Sequence, residues 1–151
     1  DLARAGLALV VVTNQSGIGR GRYAEADFLR LTGWMREQFA AAGAPLAGVY
    51  FCPHHPTDAQ GEYRRDCDCR KPAPGLLLQA ARELDLDLAR SIMFGDRHSD
   101  LQAAAAAGQQ LAGGGVAAQQ GGHLRVAHAQ AREQRLGGVG AARDVAARER
   151  E

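Results

Sequence analysis

The chain's 151 residues, 46% hydrophobic and 23% charged, fit one globular domain. A net charge of +1 excludes a strongly basic nucleic-acid binder and an acidic tail protein, and 5% aromatics leave the core to Ala, Leu and Val. The apolar run Ala8 to Val12 is far short of the ~20 residues that cross a bilayer, so no membrane partner and a cytoplasmic location are expected.

Leu7 to Thr13 (LALVVVT) is short, apolar and β-branched, which predicts a buried strand. Asn14 to Arg22 carries three glycines and no apolar period, so it is a loop. Phe28, Leu31, Met35 and Phe39 then recur at helical spacing, and Gly43 and Pro45 end that helix. Gly48 to Cys52 predicts a second strand, followed by a loop rich in His, Pro and Cys. Pro74 to Leu84 predicts a helix, Ser91 to Gly95 a third strand, and Asp100 to Ala107 a helix closed by Gly108.

Alternating strands and helices imply a parallel sheet with flanking helices and a ligand beyond the carboxyl ends of the strands. Past Gly108 the apolar pattern decays. Residues 1–108 are thus expected to form the core, and residues 109–151 a low-complexity, disordered or loosely helical tail. A weak helix from Ala127 to Leu136 is the one element expected there, with His123 and His128 incidental.

Cys52-Pro-His54, twelve intervening residues, then Cys67-Asp-Cys69 offer three thiolates and one imidazole in two close pairs. That is a tetrahedral structural zinc set, closed to substrate. His55 is adjacent, but the C-x-H spacing prefers His54. Arg70 and Lys71 follow the last cysteine at once, and Pro72 stiffens their exit; Lys71 is the only lysine in the chain. A guanidinium fork and an ammonium held there suit phosphate oxygens, although an arginine–lysine pair alone is usually a solvated surface pair. Gly95-Asp96 follows a strand and places a carboxylate where Mg²⁺ wants oxygen ligands, with Asp100 behind it. Thr13, Asn14, Gln15 and Ser16 close the first strand with hydroxyl and amide groups and a glycine beyond. Taken alone, that is an ordinary turn.

Together, VVTNQSGIGRGRY, FCPHHP, CDCRKPAPGLL and the Gly95-Asp96…Asp100 pattern resemble the haloacid dehalogenase (HAD) superfamily of phosphatases over about Gly6 to Gly108. The zinc loop and CRKP narrow the likeness to a small branch acting on heptose bisphosphate or histidinol phosphate, and GRGRY and PGLL favour the heptose side. The resemblance implies a HAD-like, Rossmann-type α/β sheet with a zinc-loop insertion, and Mg²⁺-dependent hydrolysis of a small phosphosugar by a monomer through an aspartyl-phosphate. It implies that Thr13 and Lys71 stabilise the phosphoryl group, that Asn14, Gln15, Ser16 and Arg70 help bind substrate, and that Asp96 ligates Mg²⁺.

The family's first strand, ending in a D-x-D nucleophile motif, is not among these residues. Asp66-Cys-Asp68 lies in the zinc loop and Asp85-Leu-Asp87 follows a helix, so neither is expected to replace it. An inactive fragment with a gap in its sheet is therefore expected, with a frameshift near Gly108 as one source of the tail. The other reading is a non-catalytic, zinc-stabilised module that binds phosphosugar. A zinc-finger-like nucleic-acid binder is disfavoured by the near-zero charge.

Overall fold

The computed structural model describes residues 2–108 and the backbone of the strand Val126–Gln130. In chain order these form β1 (Leu7–Asn14), the single turn α1 (Ser16–Gly19), α2 (Glu25–Ala41), β2 (Leu46–Cys52), α3 (Gly75–Leu84), β3 (Ile92–Met93), α4 (His98–Ala106) and β4 (Val126–Gln130).

The continuous apolar run of β1 is explained by cover on both faces of the sheet. Alternation sends Leu9 and Val11 to one side, where they pack with Ile18, Phe28 of α2, Leu46, Val49 and Phe51. Val10 and Val12 face the other side, against Tyr50, Leu76, Leu77 and Ala80 of α3, and Ala103 and Ala104 of α4. The core is thus two thin layers, aliphatic in the main but with Phe28, Phe51 and Tyr50 among them, where Ala, Leu and Val alone were expected.

Several expectations need correction. Leu31 of α2 is 60% exposed, and Thr32 takes the buried place beside Phe28. Met35 and Phe39 complete the inner stripe, so it runs 28–32–35–39 instead of through Leu31. The third strand is two residues long, because β3 pairs with its neighbour only at Ile92 and Met93 before the chain turns at Gly95.

The sheet is mixed, not all parallel. Its order is β2-β1-β4-β3, with β1 and β2 parallel and β4 antiparallel to both β1 and β3. Val126–Gln130 is therefore strand, where a helix starting at Ala127 was expected. The backbone groups along the facing edges of β1 and β3 need partners, and β4 supplies them across the place where a gap was expected. The remainder of that helix, His123 and the rest of the expected low-complexity tail lie outside the described residues.

One irregularity bears on the site. In the β1–β2 ladder Leu9 pairs with Leu46, but Val10 pairs with Gly48, so Ala47 is an extra residue. From that bulge onward β2 is advanced by one position, and Asn14 comes opposite Cys52.

Candidate functional site

The carboxyl end of β1, the Cys/His loop and the start of α4 converge on Lys71. Its side chain is buried, and its Nζ donates to the Val12 carbonyl at 2.7 Å and pairs with Asp100 Oδ1 at 2.8 Å. Asp100 is fully buried, and its Oδ2 accepts from the Arg97 N–H at 3.1 Å, closing the first turn of α4. Gly95 makes room for this carboxylate, since a Cβ there would meet Asp100 atoms at 2.4 Å. The expected glycine–aspartate pattern thus holds a buried ion pair in place. Asp96 sits half-buried in the turn between β3 and α4, at the same end of the sheet.

At the end of β1 the polar side chains are chained together. Tyr23 donates its hydroxyl to Gln15 Oε1 at 2.6 Å, and Gln15 Nε2 donates to Thr13 Oγ1 at 3.2 Å. The Thr13 oxygen accepts in this bond, which leaves its own O–H as a donor. Gly17 lets the Tyr23 ring lie over this turn, because a Cβ would come within 2.2 Å of it. Asn14 reaches across to the main chain of Lys71, while Ser16 opens α1. Residue reading missed Tyr23; its only signal was that a tyrosine closes the glycine-rich loop.

Cys52, His54, Cys67 and Cys69 converge, with all four ligand atoms within 4.8 Å of one another. Cys52 Sγ lies 3.6 Å from both Cys67 Sγ and His54 Nδ1. Cys69 Sγ lies 3.2 Å from Cys67 Sγ and 3.3 Å from His54 Nδ1. A tetrahedral zinc ion, with Zn–S bonds of about 2.3 Å, needs sulfur–sulfur edges near 3.8 Å, close to the separations found among these atoms.

Burial pushes the Cys67 thiol up first of all, and the neighbouring Cys52 thiol, then burial, pushes Cys69 up further. Sulfurs packed this tightly resist ionising together unless a cation sits among them. His55 stays out of the cluster, where its Nδ1 accepts from the Asp58 N–H at 2.9 Å, as the spacing preference for His54 anticipates.

This loop is wired to the rest. Gln15 N–H donates to the Cys52 carbonyl at 2.7 Å, and Arg70 Nη1 donates to the His54 carbonyl at 3.1 Å. The two alternative D-x-D pairs have other places. Asp68 accepts from the Gly75 N–H through its carbonyl, Asp85 is the left-handed cap of α3, and Asp87 accepts from the Ala89 N–H. Neither pair follows a strand.

These features have counterparts in known proteins. A HAD-hydrolase-like family model matches residues 68–131. A HAD-like phosphatase from Mesorhizobium loti superposes with a TM-score of 0.66 at 39% identity, covering 74% of this chain and 52% of that one. In fold and motifs the described core is similar to the HAD-like phosphatases.

The nearer likeness is narrower. The chain is 52% identical over 107 residues to the D-glycero-β-D-manno-heptose-1,7-bisphosphate 7-phosphatase of Photorhabdus laumondii, and 54% to that of Yersinia pestis. Each alignment covers 71% of this chain and 57% of the relative, so the chain spans little more than half the length of these proteins. The D,D-heptose 1,7-bisphosphate phosphatase of B. bronchiseptica, solved with magnesium and phosphate, superposes with a TM-score of 0.64 at 38% identity, covering 73% of this chain and 57% of that one.

Proposed function

We propose that this chain carries the phosphate-gripping and metal-loop portion of a heptose-1,7-bisphosphate 7-phosphatase. The observation that carries the reading is the buried Lys71–Asp100 pair at the carboxyl end of β1, the strand end that also carries the Thr13 hydroxyl. In the proposed chemistry Thr13 donates to one phosphoryl oxygen and the Lys71 ammonium offsets the charge developing on the others. Arg70 offers a planar fork for the sugar's second phosphate, and Gln15 and Ser16 line the same turn.

The donor set fits a magnesium ion in part. Asp96 is a half-buried carboxylate in the right turn, whereas Asp100 is engaged by Lys71 and the Arg97 N–H. Asp96 would hold the ion and Asp100 would stand behind it; such ions commonly take one or two carboxylates and complete their shell from phosphate and water. When bound, magnesium neutralises phosphoryl charge and orients the ester. The four-ligand cluster fits zinc in number, type and spacing, and with no open position its role is structural.

No D-x-D pair follows a strand among the described residues, so none of them is placed as the nucleophile of the covalent step. They are expected to bind phosphosugar as a monomer without turning it over. No described helix is long and apolar enough to cross a membrane, and a cytoplasmic phosphosugar substrate fits this reading.

The test is calorimetry and phosphate release on the full chain with zinc and magnesium. Heptose 1,7-bisphosphate should bind at least tenfold more tightly than to the Lys71→Ala variant, with no release of phosphate above that variant. Absence of Lys71-dependent binding would overturn the phosphatase reading. Turnover at ordinary enzyme rates, ~1–10³ s⁻¹, would overturn the assignment of inactivity.

A further inference from the structure

Asn14 is the last residue of β1, and its side-chain amide bonds to a main-chain unit 57 residues away. Its Nδ2 donates to the Lys71 carbonyl at 3.0 Å, and its Oδ1 accepts from the Lys71 N–H at 3.1 Å. The amide therefore acts like one more rung of a sheet, satisfying both backbone groups of a single residue in a loop that has no ladder of its own. The tip of the same lysine returns to the Val12 carbonyl, two residues earlier on β1. Residues two apart on a strand share a face, so Lys71 spans that face with its backbone on Asn14 and its ammonium at Val12.

From this geometry we infer that Asn14 is a positioning residue that clamps the backbone of Lys71 and thereby fixes where the ammonium sits. Calling that ammonium a phosphoryl partner rests on the function proposed above; the clamp itself does not. The residue type follows from the task. Aspartate has no donor for the Lys71 carbonyl, serine cannot reach both groups, and glutamine carries the amide one methylene too far. Pro72, with no N–H, and the metal loop ending at Cys69 bracket Lys71, and neither supplies this pair of bonds. In this assignment the Asn14 amide is committed to protein, where the sequence had suggested a substrate contact.

The chain has one lysine, so protein labelled with ¹⁵N-lysine has one lysine amide signal and one ammonium signal, both from Lys71. With zinc added, the full chain should show a Lys71 amide protected from hydrogen exchange and a slowly exchanging ammonium. Asn14→Ser should raise both exchange rates at least tenfold. Tyr50→Phe removes a 3.1 Å hydrogen bond to Glu83 in the same sheet and should leave both Lys71 signals unchanged. Rates within twofold of the original in Asn14→Ser, or an equal rise in Tyr50→Phe, would overturn the clamp.

If Asn14→Ser fails to fold, the unaltered chain still decides. A Lys71 amide exchanging like an unbonded loop amide refutes the clamp, and protection supports it. Adding inorganic phosphate with magnesium asks the separate question. An ammonium signal that ignores phosphate counts against the phosphatase reading, while the exchange rates still judge Asn14.

Discussion

A lysine ammonium and an aspartate carboxylate, both buried, are stable only as a pair. Removing one partner strands the other charge, so Asp100→Ala should cost about 3–5 kcal/mol, read as a drop in the urea midpoint. Lys71→Met with Asp100→Leu should recover most of that loss while abolishing phosphate binding. The hydroxyl of Tyr23 acts more gently. Tyr23→Phe should leave stability within about 1 kcal/mol, the net value of one hydrogen bond, and weaken phosphosugar binding several-fold by loosening Gln15 and Thr13. Calorimetry of the single variant checks it. At this scale the sequence was informative where chemistry depends on spacing. Two close pairs of Cys and His announce side chains that converge, whereas the carboxylate that packs on Gly95 is Asp100 and not the adjacent Asp96. Which way the amides of Asn14 and Gln15 point is set by residues far along the chain or by a ring stacked over a glycine, and no local pattern encodes it.

Among the elements, the metal loop and α2 make distinct predictions. Since burial and thiol neighbours hold Cys67 and Cys69 protonated when no metal is bound, loading a metal must displace protons. Acid supplies the competing protons, so zinc affinity should fall as pH is lowered from 8 to 6, by a factor of about ten per unit for each thiol titrating. A cobalt-loaded sample, followed by its thiolate charge-transfer absorbance across that range, reports it directly. Affinity independent of pH would mean the thiols are not the ligands. On α2, Phe28→Ala should cost about 3–5 kcal/mol, whereas Leu31→Gln, at a 60% exposed position, should stay within about 0.5 kcal/mol. Helical spacing alone admits either 31 or 32 on the inner stripe. The choice fell to Thr32 because the stripe's direction is set by Phe28 meeting Phe51, whose ring centroids lie 4.6 Å apart.

Across the whole molecule, the sheet depends on β4. It bonds to β1 over five residues and to β3 over two, and without it two strands would present bare edges. Ala127 faces Val10 on one side and Met93 on the other. Ala127→Pro should therefore cost about 1–3 kcal/mol for unsatisfied backbone groups and raise the light scattering of the sample on heating. Unchanged thermal behaviour would show that β4 contributes little. The strand was illegible in advance because Val126–Gln130 (VAHAQ) has a single β-branched residue. Its place comes from the vacancy between β1 and β3, a property of the assembled sheet, whereas the apolar run of β1 and the glycines ending the helices are written locally.

The bulge at Ala47 has a reach beyond its own end of the sheet. Had β2 run without it, Asn14 would stand opposite Phe51, and the Cys52 sulfur would be carried off by one residue's rise. That bulge works as a vernier, keeping the Cys52 sulfur of one strand level with the lysine-holding amide of the next. Pairing Ala47 with Val10 instead would slip the two halves of the site past each other without touching any atom in either.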